Sequence, residues 1–381
     1  MSNRSEEIAA GYELDKKNRR PPVSAKDIPF AYEDITAEWL TAILCAGIEG
    51  AKVVAFSFDA PDIGSTSRQR IVVDYNQAGR DAGLPLSVFC KATHSLASRM
   101  ATGFGNTAKA EVNFYNIARP LLDVEAPVGC FANFSPSFNS IVVLRDLGPG
   151  TTFCTHTTDI TRGNAEDQMR LLAKVHGKFL ESPVLDTTLS VFPTWHYFFS
   201  SFESVFKGPC DQGFAIAEDV IPARLFARRQ DVWGATMASV ERHLHLPHTL
   251  NHGDDHLRNW YITADGRMGL GDWQAATRGH WSRDLIYGLL TSLSIDNRRL
   301  WMDELLRCYM DHLQHTSGRK IPFDGVLDEI RRQMFTVLAF WTITINPVPG
   351  MPEMQPRDST VEFIRRIASA MDDFDAFGAF K

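Results

Sequence analysis

The sequence predicts an α+β chain in two parts, a small strand-rich part followed by a larger, mainly helical one. Strand-like runs come first, at residues 52–58, 69–75, 86–92, 130–133 and 140–144, where β-branched and apolar residues alternate or run together. Helical spacing of apolar residues follows, at 167–181, 296–314, 323–340 and 360–371. Between the two, Gly148-Pro149-Gly150 is the best linker signal in the chain.

The length of 381 residues suits roughly two domains, and a hydrophobic content of 44% suits sizeable cores. A net charge of -7 argues against broad electrostatic binding of nucleic acid, and no run of Lys and Arg marks a membrane-surface patch. Six cysteines, none in C-x-x-C spacing, read as reduced thiols. The first residues are polar, without the apolar stretch of a signal peptide, and the longest apolar run, near 334–345, is too short to span a bilayer. These features lead to the expectation of a cytoplasmic protein without a membrane span.

Taken in order, residues 1–22 are polar, end in a basic cluster from Lys16 to Arg20, and read as a loosely held, solvated arm. Asp34 or Thr36 caps a helix with Trp39, Leu40, Ile43 and Leu44 on one face. Between the first two strands lies Gly64-Ser65-Thr66, a turn whose amides and hydroxyls suit either nucleotide phosphates or an ordinary hairpin. Lys91 interrupts the apolar strand at 86–92, where a charge is costly unless paired. It reads either as a paired lysine or as one snorkelling from an edge strand, with Glu111 then a surface residue. The aromatic run from Phe192 to Phe206 fills a core or walls an apolar pocket. The acidic end, 372–375, reads as a solvated face.

The densest chemistry is at 250–274, L-N-H-G-D-D-H-L-R-N-W-Y-I-T-A-D-G-R-M-G-L-G-D-W-Q. Trp260 to Ile262 and Met268 to Leu270 flank the turn Ala264-Asp265-Gly266 as a hairpin, which brings Asn259 and Asp272 to neighbouring ends. Phosphoryl transfer needs a carboxylate for the proton of the attacking hydroxyl and oxygen ligands for magnesium. Asp254 suits the first task, Asn259 and Asp272 the second. A competing reading makes His252, Asp254, Asp255 and His256 a first-row metal cluster for hydrolysis, but it leaves Asn259 and Asp272 without a task.

His252-Gly253-Asp254, Asn259 and Gly271-Asp272-Trp273 resemble the H-G-D-x-x-x-x-N loop and I-D-W/F motif of the aminoglycoside phosphotransferase and choline kinase-like superfamily of small-molecule kinases, ecdysteroid kinase-like members included. Three separated positions agree in type, order and spacing. Residues 172–177 resemble the family's L-A-x-x-H-A segment, which makes His176 structural, and 281–288 resemble its D-L-A helix start. Arg145-Asp146-Leu147 departs from the E-D-L common at the crossing between lobes, so adenine-side contacts there are left open.

The resemblance implies a bilobal protein-kinase-like fold with a nucleotide-binding N-lobe at 23–145, a hinge at 146–150 and a helical C-lobe with the catalytic loop and acceptor site at 151–381. It implies transfer of the γ-phosphate of ATP, or GTP, to a small-molecule hydroxyl with Mg2+. Asp254 would be the catalytic base and His252 the brace of its loop. Asn259 and Asp272 would hold the metal, and Lys91 with Glu111, beside Gly64, Ser65 and Thr66, the nucleotide. Asp284 would support the catalytic-loop backbone. The aromatic run raises the expectation of an apolar or aromatic acceptor, against aminoglycoside or choline-type acceptors, and a silent nucleotide-binding pseudokinase is the rival from another class. Oligomeric state is not legible.

Overall fold

Alternation of apolar and polar residues along 67–75 dictates the first architecture seen in the computed structural model, which describes residues 2–59, 62–63, 66–348 and 354–380. On this strand Ile71, Val73 and Tyr75 are buried while Arg70, Val72 and Asp74 face out. One unit, Met1–Leu121 with Pro127–Gly148, is built on the sheet that contains it. In chain order its elements are α1 (Ser2–Lys17), α2 (Ala37–Leu44), β1 (Val53–Phe58), β2 (Asp62–Ile63), β3 (Ser67–Tyr75), α3 (Gln77–Asp81), β4 (Ser87–Ala92), α4 (Leu96–Gly103), α5 (Thr107–Asn113), β5 (Gly129–Phe134) and β6 (Ser140–Arg145).

The sheet is antiparallel, in the order β1-β3-β4-β6-β5, with β2 on the start of β3. Thr36 caps α2 by accepting the Trp39 amide at 3.0 Å. Trp39, Leu40, Ile43 and Leu44 then pack with Ile71, Val73, Val88, Cys90, Ile141 and Val143 in one core. Truncating the fully buried Trp39 to alanine would cost about 3–5 kcal/mol.

Residues 2–17, expected as part of a loose arm, form a helix instead. No apolar stripe announces α1, because polar contacts tie it down. Arg99, fully buried, pairs with Asp15 at 2.6 Å and sits over the Tyr12 ring at 5.1 Å. Only Ile8 of α1 is buried as a large apolar residue. The basic cluster after it is not simply solvated either, since Arg19 pairs with Asp34 at 2.8 Å and Arg20 with Asp27 at 2.9 Å.

The second unit, Leu122–Ala126 with Pro149–Lys381, is mainly helical. It contains β7 (Thr152–Phe153), α6 (Arg162–Phe179), α7 (Trp195–Ser200), α8 (Glu203–Ile216), α9 (Ala223–Phe226), α10 (Arg229–Arg242), β8 (Thr249–Asn251), β9 (Trp260–Ile262), β10 (Met268–Leu270), β11 (Thr277–Gly279), α11 (Ser282–Ser292), α12 (Ile295–Ser317), α13 (Val326–Ile345) and α14 (Arg357–Asp373). Every residue of α11 is buried, so this helix is the centre of the unit. The small piece 122–126 belongs here because Glu125 accepts the Leu270 amide at 3.1 Å and pairs with Arg267 at 3.0 Å.

The aromatic run is core in its main members. Trp195 and Phe199 pack with Trp233, Val240, Ala339 and Ile343. The acidic end is paired: Asp372 with Arg224 at 2.8 Å, and Asp373 with Arg299 at 2.9 Å and with Arg298. Among the described residues, no helix is long and apolar enough to cross a membrane.

Candidate active site

Two short ladders in the second unit position the chemistry. β8 pairs with β11, Asn251 opposite Thr277, and β9 pairs with β10 as the expected hairpin, Trp260 opposite Leu270. The loop 252–256 leaves β8 and passes through a short turn into β9. Asn259 therefore stands just before β9 and Asp272 just after β10, and a Gly271 N–H donated to the Asn259 carbonyl at 2.9 Å ties the two ends together.

The loop backbone is held by α11. Asp284 accepts the amide protons of His252 at 2.5 Å and Gly253 at 3.1 Å. Its Oδ2 also lies 3.3 Å from His176 Nε2, and His176 Nδ1 is 2.7 Å from the Tyr309 hydroxyl. Burial would push the Asp284 carboxyl up, but the hydrogen bond with His176 and the neighbouring Arg283 guanidinium hold it below its ordinary value. Arg283, wholly buried, donates Nη1–H to the Gly253 carbonyl at 2.7 Å and rests 3.9 Å over the Trp195 ring. Gly253 has φ of 83° and a Cβ there would lie 2.1 Å from the Ala275 carbonyl oxygen, so no other residue fits.

His252 is a brace. Its Nδ1 accepts the Asp254 amide at 3.2 Å, which leaves Nε2–H to donate to the Gly271 carbonyl at 2.9 Å. Burial lowers its pKa and keeps it neutral. One ring thereby links the loop to the strand end beside Asp272.

The adjacent carboxylates differ. Asp254 keeps 25% of its side chain exposed and accepts the Tyr287 hydroxyl at 3.0 Å. Burial, then the charge of Asp272, raises its pKa to about 7. Asp255 is fully buried, neither carboxyl oxygen has a hydrogen-bond partner among the described residues, and burial pushes its pKa well up. Asp255 is thus a neutral packing residue. His256, pressed against Trp341 at 5.3 Å, is held down to about 3 by burial and is neutral as well.

The donor set suits a hard divalent cation. Asn259 donates Nδ2–H to the Asp254 carbonyl at 2.7 Å, so its amide oxygen is the atom left to ligate. Asp272 sits in the left-handed region, φ 61° and ψ 63°, a conformation an aspartate tolerates at a cost of about 1 kcal/mol. Beyond burial, part of what lifts Asp254 is repulsion from Asp272, which a cation at Asp272 would relieve, and the oxygen ligands are those magnesium takes. Among the described residues no group of three or more His, Cys, Asp and Glu is placed to hold a metal, which leaves the first-row cluster reading without a site.

In the sheet unit, Lys91 on β4 and Glu111 on α5 meet at 2.7 Å, with side chains 8% and 4% exposed. Lys91 is paired, not snorkelling. Gly64 and Ser65 lie outside the described residues, and Thr66 is buried. After β6, Asp146 accepts hydrogen bonds from Arg70 and Ser87, each at 2.7 Å.

Arg283, Tyr287 and the supporting role of Trp195 join the site without having been expected from the sequence. A signal existed: counted from Asp284, Tyr287, Gly288 and Thr291 recur at helical spacing inside an otherwise apolar helix.

The ecdysteroid kinase-like family model matches residues 130–320. Among solved structures, the ethanolamine kinase of Plasmodium vivax is similar at 11% identity, over 97% of this chain and 95% of that one, with a TM-score of 0.53. The choline kinase LicA of Streptococcus pneumoniae follows at 12% identity, 84% and 94% coverage and a TM-score of 0.47. An aminoglycoside phosphotransferase of Streptomyces rimosus is similar at 12%, 74% and 91%, with 0.42. No curated protein matches this chain. At such identities the ethanolamine kinase likeness is one of fold, the bilobal kinase-like fold with its small sheet and larger helical part.

Proposed function

Since the chain belongs to the ecdysteroid kinase-like family, we propose that it moves the γ-phosphoryl group of ATP to a hydroxyl of a small molecule. The observation that carries this reading is Asp254. It is partly open and is tied by hydrogen bonds to the hairpin whose ends carry Asn259 and Asp272.

Asp254 takes the proton of the acceptor hydroxyl as its oxygen bonds to the γ-phosphorus, and the bond from that phosphorus to the bridging oxygen breaks, so ADP leaves with the electron pair. Magnesium, when bound by Asn259 and Asp272, neutralises charge on the transferring group. Lys91, paired with Glu111 at 2.7 Å, holds the nucleotide phosphates. His252 and Asp284 touch no reactant in this scheme; they fix the loop.

The acceptor we propose is a hydroxylated, largely apolar molecule of the steroid kind that the family's name denotes. The aromatic run no longer supports it, because Trp195 and Phe199 are core. The test is ADP release from ATP, and from GTP as rival donor, across sterols, simple apolar alcohols, aminoglycosides, choline and ethanolamine. Turnover confined to the cationic acceptors overturns the apolar assignment alone. No turnover with any acceptor, in a protein that binds nucleotide, favours a silent nucleotide-binding module.

A further inference from the structure

A single face of α11 meets the catalytic loop at His252, Gly253, Asp254, Asp255 and Leu257. Arg283 takes the Gly253 carbonyl, Asp284 the amides of His252 and Gly253, and Thr291 Oγ1 the Leu257 amide at 3.2 Å. Gly288 makes room for Asp255, since a Cβ on it would lie 2.7 Å from Asp255 Oδ2. All of these contacts fix backbone or give space. Tyr287 is different, because its hydroxyl reaches the side chain of Asp254, at Oδ1 and 3.0 Å.

We propose that Tyr287 is a positioning residue for Asp254, selecting which carboxylate oxygen is presented to the acceptor hydroxyl. This rests on the reading of Asp254 as the base. The terminal torsion of an aspartate is broad and roughly two-fold, so a carboxylate without restraint swings and exchanges its oxygens. A hydrogen bond to Oδ1 from a phenol that cannot move ends that freedom. Tyr287 is such a phenol: it is 1% exposed, with Arg283 5.1 Å over its ring and Trp341 edge-on at 6.5 Å. Burial also keeps its proton on, so it stays a donor.

With Oδ1 engaged, Oδ2 is the oxygen left to take the acceptor proton. Its near neighbour is His256 Nε2 at 3.7 Å, beyond hydrogen-bond reach. Tyr287 is too buried to touch the acceptor itself. Its effect on the reaction passes through the orientation of Asp254, where small errors in approach are costly to rate.

The test is Tyr287→Phe, which keeps the ring and removes only the hydroxyl, measured beside wild type, Asp254→Asn and the double variant. We expect kcat to fall about ten- to a hundredfold, with KM for nucleotide and acceptor little changed and the melting temperature close to wild type. The same substitution in Asp254→Asn should change nothing further, because the carboxylate it orients is gone. A crystal structure of Tyr287→Phe should show the Asp254 carboxylate rotated or in two orientations. Unchanged kcat, or an equal proportional loss in the Asp254→Asn background, overturns the proposal while the phosphotransfer reading stands. A wild type that transfers phosphate to no acceptor overturns both.

Discussion

Asp254 and Asp255 are neighbours in sequence with opposite surroundings: Asp254 keeps 25% of its side chain exposed, whereas Asp255 has none of its surface open. The kink at Gly253 sends one carboxylate outward and the next against Gly288. Asp254→Asn should retain nucleotide binding and lose about two to four powers of ten in the chemical step. Asp255→Asn should leave chemistry within a few-fold and leave melting unchanged or raised, since it replaces a buried carboxyl whose oxygens have no hydrogen-bond partner among the described residues. Single-turnover rates and thermal melts of the two variants check this, and the reverse ranking would mean the loop register is wrong.

Lys91→Met should abolish nucleotide binding and also weaken the fold, by about 3–5 kcal/mol, because Glu111 loses its buried cation. Adding Glu111→Gln should recover much of the stability and none of the binding. Urea unfolding and nucleotide titration of the single and double variants separate the two effects.

Asp284 gives a stability signature with a definite sign. Its folded pKa lies below the unfolded value of about 3.9, so the stability it contributes is present above that pH and is lost as pH falls through the folded value. Asp284→Ala should destabilise by about 3 kcal/mol near neutral pH, because two buried amides lose their acceptor. The gap between wild type and variant should narrow in strong acid. A gap independent of pH would show that the carboxylate charge is irrelevant.

Several buried histidines predict acid lability well above that range. Burial lowers His94, His243 and His256 each to about 3, while an unfolded histidine titrates near 6.5. Their stability is fully present above about pH 6.5 and drains as pH falls toward about 3, at up to about 1.4 kcal/mol per pH unit for each one. Urea midpoints measured from neutral pH down to about pH 5 should fall steeply, and a flat profile would contradict neutral burial.

Where composition encodes geometry directly, the fold was legible. Alternation on β3 marked an inner face, and Lys91 inside an apolar strand read as paired or snorkelling, a choice that its 2.7 Å contact with Glu111 decides for pairing. The Asp265-Gly266 turn implied the hairpin. What escaped is held by polar contacts between distant segments. Helix α1 docks through Arg99 and Asp15, separated by most of the unit's helices and strands, so its own apolar spacing carries no signal. Trp195 serves the loop through Arg283, a stacking contact across eighty-odd residues that no local pattern reveals. The aromatic density read equally as pocket or core, and only packing against α10 and α13 decided it.

The most direct measurement is transfer of labelled γ-phosphate from ATP to a hydroxylated acceptor by wild type and Asp254→Asn, with and without magnesium. A phosphorylated alcohol should form only with magnesium, and its formation should be nearly lost in Asp254→Asn while ATP still binds. Undiminished transfer by Asp254→Asn would contradict this.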